Sequence, residues 1–188
     1  MRNTIKSVIQ YYWSVILRKY TIVKPKTQSV EDILNYLRYE NGMISSGQPA
    51  RNQFNLIRDA GYSVVINLAA FNKKGISLKD EKSIVTGLGM RYFHIPVDFM
   101  NPTNQDFHKF IQVMDQVKGE RIWIHCDANA RASAFIYRYR CAVLGEDHET
   151  AIWDLREIWE PFGIWKRFTY ADFQKQAVST QDATQKFG

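Results

Sequence analysis

One stretch constrains this chain more than any other: Arg121-Ile122-Trp123-Ile124-His125-Cys126-Asp127-Ala128-Asn129-Ala130-Arg131-Ala132-Ser133. An apolar strand runs into His-Cys, a loop of small residues follows, then an arginine, then a helical stretch. That order puts a thiol where a strand ends and a helix begins. The amides of the loop and first helical turn can converge on one spot, and the helix dipole favours negative charge there. The same field favours a thiolate, so Cys126 is expected to ionise near neutral pH. Arg131 can hold two oxygens of a bound oxyanion with its planar fork. Packing alone does not explain this order of residues.

The rest of the chain supplies a scaffold of alternating elements. The spacing predicts helices over 30–39 (with Ser29 as cap), 50–60, 78–88, 103–117, about 132–144, 148–159 and about 169–178. Short or nearly continuous apolar runs predict strands over 43–46, 62–68, 91–97 and 121–125. Phe54 and Ile57 are expected to face inward, as are Phe107, Phe110, Ile111 and Met114. Asn41-Gly42 signals a turn, and 71–77 is a polar loop. Strands alternating with helices imply a three-layer α/β/α fold with a mostly parallel central sheet. Ligands in such folds sit outside the carboxyl ends of the strands. Cys126 lies at such an end, and Asp98 leaves the preceding strand at the same edge.

Three segments follow: 1–28, a basic amphipathic helix and linker; 29–178, the main domain; and 179–188, a polar tail. In the first, Ile5, Val8, Ile9, Tyr12, Val15 and Ile16 recur at helical spacing beside Arg2, Lys6, Arg18 and Lys19. That face can pack on its own domain, on a second copy, or on an anionic membrane surface. No run approaches the ~18 apolar residues of a spanning helix, and no secretory cleavage pattern is visible. The net charge of +6 suits an anionic partner, but the basic residues, including Arg138 and Arg140, are dispersed. No nucleic-acid-binding motif accompanies them.

Two cysteines, Cys126 and Cys141, make no disulfide framework. Cys141 reads as a core residue of a helix, with a resolving partner for Cys126 as the alternative. A reducing cytoplasm suits a working thiol at Cys126. The four histidines and two cysteines lack metal-ligand spacing, and Gly87-Leu88-Gly89 lacks the third glycine of a nucleotide loop. The sequence therefore calls for no metal and no cofactor. Trp153, Trp159 and Trp165 read as core contacts, with the alternative that some reach the rim near Cys126.

A thiolate in an anion-binding loop can attack phosphorus, giving a phosphocysteine that water hydrolyses. The leaving oxygen needs a proton, and Asp98 is the candidate acid, then base for the water. A solvated loop aspartate is the equal alternative. Ser133 can bond either the sulfur or nearby backbone, and His125 is expected to hold the loop by bonding backbone groups.

The His125–Ser133 stretch resembles the signature of cysteine-dependent tyrosine and dual-specificity phosphatases. The wider match, over about 31–168, resembles a bacterial phosphatase-like group related to the β-lactamase-hydrolase-like family. It rests on Ile44-Ser45-Ser46-Gly47-Gln48-Pro49 and on Val64-Val65-Ile66-Asn67-Leu68. The resemblance implies Cys126 as nucleophile and Asp98 as general acid. It implies a phosphate cradle from the amides of Asp127, Ala128, Asn129, Ala130, Arg131 and Ala132, with Ser133 at the usual Ser or Thr position. A phosphorylated protein or small molecule is the implied substrate.

The chain departs from that signature at one point. Arg131 stands five positions after Cys126 rather than six, so Ala132 occupies the usual arginine position and Asn129 that of a glycine. Asp127 places a negative charge beside the nucleophile. Two alternatives follow: an anion-binding module without turnover, and a rhodanese-like sulfurtransferase, whose loops also have four residues between Cys and Arg.

Overall fold

The computed structural model describes residues 29–40, 42–70 and 78–171. The amphipathic segment 1–23, the loop 71–77, Asn41 of the expected turn and the tail from 179 lie outside the described residues. Among those described, five strands form one sheet: β1 (Leu37–Arg38), β2 (Ile44–Ser46), β3 (Val64–Ala69), β4 (Arg91–Val97) and β5 (Ile122–His125). Their order is β1-β2-β5-β3-β4. β1 is antiparallel to β2, and every other pairing is parallel. Among the described residues, six α-helices cover the sheet: α1 (Gln53–Asp59), α2 (Glu81–Gly87), α3 (Asn104–Gln116), α4 (Ala130–Ala142), α5 (His148–Ile158) and α6 (Gly163–Thr169).

The two faces of the sheet sort the chain by the period of two. Val64, Ile66, Leu68, Ile122, Ile124 and Cys126 face a large core completed by Phe107 and Phe110 of α3, Phe135 and Ile136 of α4, Leu155 of α5 and Phe168 of α6. Val65 and Trp123 face a smaller core with Phe54 and Ile57 of α1 and Val85 of α2. Consecutive residues of β5 thus point to opposite layers, which places Cys126 on the α4 side and His125 on the α2 side. The three-layer arrangement and parallel sheet are those expected. Among the described residues no helix is long and apolar enough to cross a membrane.

Several elements differ from the expected ones. The helix expected over 30–39 is a single 3-10 turn, Val30–Asp32, capped by Ser29 as anticipated. The chain then turns through Asn35 at φ 50° and forms β1, whose Leu37 and Arg38 pair with Ser45 and Ile44. Two residues become a strand there because β2 offers an edge, which local spacing does not reveal. The helix expected over 78–88 is shortened to α2, and α6 occupies a segment where no helix was expected. The helix expected over about 169–178 lies largely outside the described residues.

Arg138 and Arg140 are not surface charges: both are buried on α4. Arg138 lies 4.2 Å from the Phe107 ring centroid and 4.8 Å from that of Phe168. Arg140 pairs with Glu146 and Asp154. They are spent on internal packing and pairing rather than on an anionic partner. Trp159 and Trp165 are buried as core residues, whereas Trp153 is exposed.

Candidate active site

The site is built where β5 gives way to α4. Cys126 donates its amide to the Ser46 carbonyl at 3.3 Å, extending the β2–β5 pairing by one residue. Beyond it, Gln48 N donates to Asp127 O at 3.1 Å, and Gly47 faces Ala128 across an antiparallel bridge. A Cβ on Gly47 would stand 3.1 Å from the Asp127 carbonyl and 2.9 Å from Leu34 Cδ2, so glycine is required by close approach.

Asn129 makes the turn into α4. Its φ of 69° is left-handed, a conformation Asn tolerates better than most residues. Its side-chain nitrogen donates to Asn35 O at 2.6 Å and to Ser45 Oγ at 2.8 Å. Asn35 returns a bond to Ala128 O at 2.8 Å. α4 begins at Ala130, and the first bond it closes on the loop runs from Ser133 N to Asn129 O at 3.0 Å. The amides of Ala130, Arg131 and Ala132 therefore have no intrahelical acceptor and open toward the helix N-terminus. Ser133 Oγ donates back to Asn129 O at 2.8 Å and Ala130 O at 3.2 Å, so its hydroxyl serves the helix start.

The shifted arginine has a structural reason. Ala132, at the usual arginine position, is fully buried in the large core. Arg131 is turned to the loop side instead. Its Nη1 donates to Asp127 Oδ2 at 2.8 Å, and the Phe99 ring lies over it at 5.4 Å. Burial works against the Arg131 charge, but its interactions with Cys126 and Asp127 outweigh it, and its pKa is raised. The Cys126 residue is 1% exposed, and the paired Arg131 and Asp127 side chains are 9% and 12% exposed.

Asp98 follows β4 on an exposed turn. Its Oδ1 accepts from Met100 N at 2.8 Å and its carbonyl from Asn101 N at 3.1 Å. The next residue, Phe99, ties this turn to α6 through its carbonyl, which accepts from Trp165 Nε1 at 2.8 Å. Phe99 also stacks against Trp165 and Trp159, with centroids at 5.3 and 6.3 Å. These two tryptophans thus support the rim from beneath.

His125 does not bond backbone as expected. Its Nε2 lies 3.0 Å from Glu81 Oε1 on α2. Glu81 also accepts from Asn67 Nδ2 at 2.8 Å and Gln48 Nε2 at 2.5 Å, and Tyr92 bonds it as well. Burial alone would raise the Glu81 carboxyl, yet the His125 charge and these donors prevail and lower its pKa. This buried network behind the nucleophile was missed in the sequence reading. Its one visible sign was an acidic residue in the first turn of an otherwise amphipathic helix. Among the described residues, no group of three or more His, Cys, Asp or Glu is arranged to hold a metal.

A parallel-sheet domain with a cysteine and an arginine joined by a tight loop at a helix N-terminus defines the class: this is a member of the cysteine-dependent phosphatase superfamily. A family model described as a DSP-PTPase phosphatase fused to NAD+ kinase matches residues 14–180, and the chain belongs to that family. Among solved structures, a candidate phosphatase of the DUF442 group from Shewanella putrefaciens CN-32 is 33% identical, with a TM-score of 0.69 over 78% of this chain and 95% of its own. The catalytic core of the PP-IP phosphatase SIW14 from S. cerevisiae shares the fold at TM-score 0.61 and 14% identity, over 80% and 94% of the two chains. TpbA from P. aeruginosa, in complex with phosphotyrosine, does so at 0.54 and 15%, over 72% and 76%. No match was found among functionally curated proteins.

Proposed function

We propose that this protein hydrolyses phosphomonoesters through a phosphocysteine at Cys126. The observation that carries the reading is the Arg131 guanidinium, buried on the loop side at the head of α4, five residues after the buried Cys126 and held by Asp127 at 2.8 Å. The Cys126 thiolate attacks phosphorus, an S–P bond forms, and the P–O bond to the leaving group breaks. Asp98 gives its proton to the leaving oxygen, then takes one from the water that cleaves the S–P bond and frees phosphate. For the first transfer Asp98 leaves its turn bond to Met100 N and reaches over the site with the 98–101 turn. Arg131 and the first-turn amides of α4 stabilise the charge on the transferring group. His125 and its bonded Glu81 hold the strand end from the opposite layer.

Phosphotyrosine or another protein phosphate fits this reading, given the phosphotyrosine complex of TpbA. The chemistry requires reduced thiol, which suits a cytoplasmic setting, and both cysteines are free. The amphipathic segment 1–23 would add membrane-surface or self-association contacts. The test is turnover of a generic aryl phosphate by the full chain. Turnover abolished by Cys126→Ser, with phosphate binding retained, supports the reading.

A second reading, an anion-binding module without turnover, is favoured by the Asp127 carboxylate lying in the Arg131 fork. It predicts no turnover and phosphate binding that weakens in Arg131→Ala. Thiocyanate formed from thiosulfate and cyanide would indicate sulfur transfer instead.

A further inference from the structure

The Asp127–Arg131 pair leaves the site with an unusual set of free valences. Both side chains are about nine-tenths buried, at 12% and 9% exposure. Each keeps one polar atom with no partner among the described residues: Asp127 Oδ1, an acceptor, and Arg131 Nε, a donor. Buried polar atoms without partners are costly and call for an occupant. A ligand that satisfies both must accept from Nε and donate to Oδ1.

A doubly charged phosphoryl group can do only the first. It has no proton to give, and it meets the Asp127 carboxylate as a like charge. The balance of charge leads to the same place. Arg131 contributes one positive charge, and the Asp127 carboxylate already offsets it. Among the described residues, what remains for a thiolate and an incoming anion is the partial positive charge of the α4 N-terminus, roughly half a unit. Among those residues His125 and Glu81 face the opposite layer, and Asp98 is on the exposed turn.

We propose that Asp127 sets this site to take a phosphoryl group carrying a single negative charge, with the remaining P–OH donating to Asp127 Oδ1 and a phosphoryl oxygen accepting from Arg131 Nε. The inference rests on the reading of this pocket as a phosphate-ester site and narrows its ligand to the singly protonated ester. It makes Asp127 a specificity-determining residue, and it turns the departure from the phosphatase signature into a selector of ligand charge.

The experiment follows phenylphosphonate, which carries one charge and a P–OH below its second ionisation and two charges above it, with benzenesulfonate, singly charged and without a donor throughout, as the reference. Affinities of both for the full wild-type chain are measured by calorimetry at about pH 5 and about pH 8.5, on either side of the second ionisation of phosphate-type groups near 6. In the wild type, phenylphosphonate is expected to bind more tightly than benzenesulfonate at the lower pH and to weaken roughly tenfold or more relative to it at the higher, the equivalent of about 1.4 kcal/mol. In Asp127→Asn and Asp127→Ala that relative loss should shrink or reverse. Retained or tighter relative binding of phenylphosphonate by the wild type at the higher pH overturns the proposal, as does an unchanged ratio in the variants or failure of both probes to bind. The wild-type pH dependence stands even if a variant does not fold. Absence of aryl phosphate turnover would defeat the phosphatase reading while leaving this ratio intact.

Discussion

His125 Nε2 stands 3.0 Å from Glu81 Oε1, and the two side chains are 0% and 2% exposed. The residue before the nucleophile is thus anchored to a carboxylate on the far face of the sheet. Glu81 collects His125, Gln48 and Asn67, which come from three different strand ends or loops. Replacing it with Ala strands several buried donors at once. Glu81→Ala is expected to lose about 3–5 kcal/mol of stability, read as a lower urea midpoint. Glu81→Gln, which keeps shape and acceptor capacity in part, should lose less.

The same carboxylate gives a pH dependence of defined sign. Its folded pKa lies below the ordinary glutamate value because His125 and the neighbouring donors overcome the opposing effect of burial. The unfolded chain therefore binds the proton more readily. Its contribution to stability is complete above the unfolded pKa and is lost as pH falls through the folded one. Urea unfolding followed from about pH 6 down to about pH 3 should show stability falling with acid, with a shallower fall in Glu81→Gln.

Asn129 combines a backbone role and a side-chain role, and two variants separate them. Asn129→Gly keeps the left-handed turn but removes the bonds to Asn35 O and Ser45 Oγ. Asn129→Ala loses the bonds and adds the strain of a left-handed alanine, about 1–2 kcal/mol. Chemical denaturation should rank stability as wild type, then Gly, then Ala, with aryl phosphate turnover following the same order.

Phe99 lies over the Arg131 guanidinium and stacks on Trp165. Phe99→Ala is expected to cost about 1–2 kcal/mol through the lost ring and cation contacts. It should also shift tryptophan emission to the red as Trp159 and Trp165 gain water. Unchanged emission would mean the ring does not shield them.

The site was legible in the sequence to the extent that it is local. Cys126, Asp127, Asn129 and Arg131 lie within six residues, and one strand-to-helix passage brings them together. The nearly continuous apolar runs of β3 and β5, alternating with helical stretches such as the one carrying Phe107, Phe110 and Met114, likewise showed the layered fold. What could not be read depends on long-range placement. The Glu81 network draws on positions 48, 67, 81, 92 and 125, whose meeting depends on strand order. β1 exists because β2 lends it an edge. The burial of Arg138 and Arg140 follows from α4 being covered by α5 and α6 as well as by the sheet. The direction of Arg131 follows from Ala132 being committed to the core.

The central claim is that Cys126 carries the phosphoryl group. It is tested most directly by mixing the full chain with an aryl phosphate, denaturing it within the turnover time, and locating the modification by mass spectrometry. The expected result is a phosphoryl group on the peptide bearing Cys126, absent in Cys126→Ser together with turnover. Turnover that survives Cys126→Ser, or a phosphoryl group found on another residue, would contradict it.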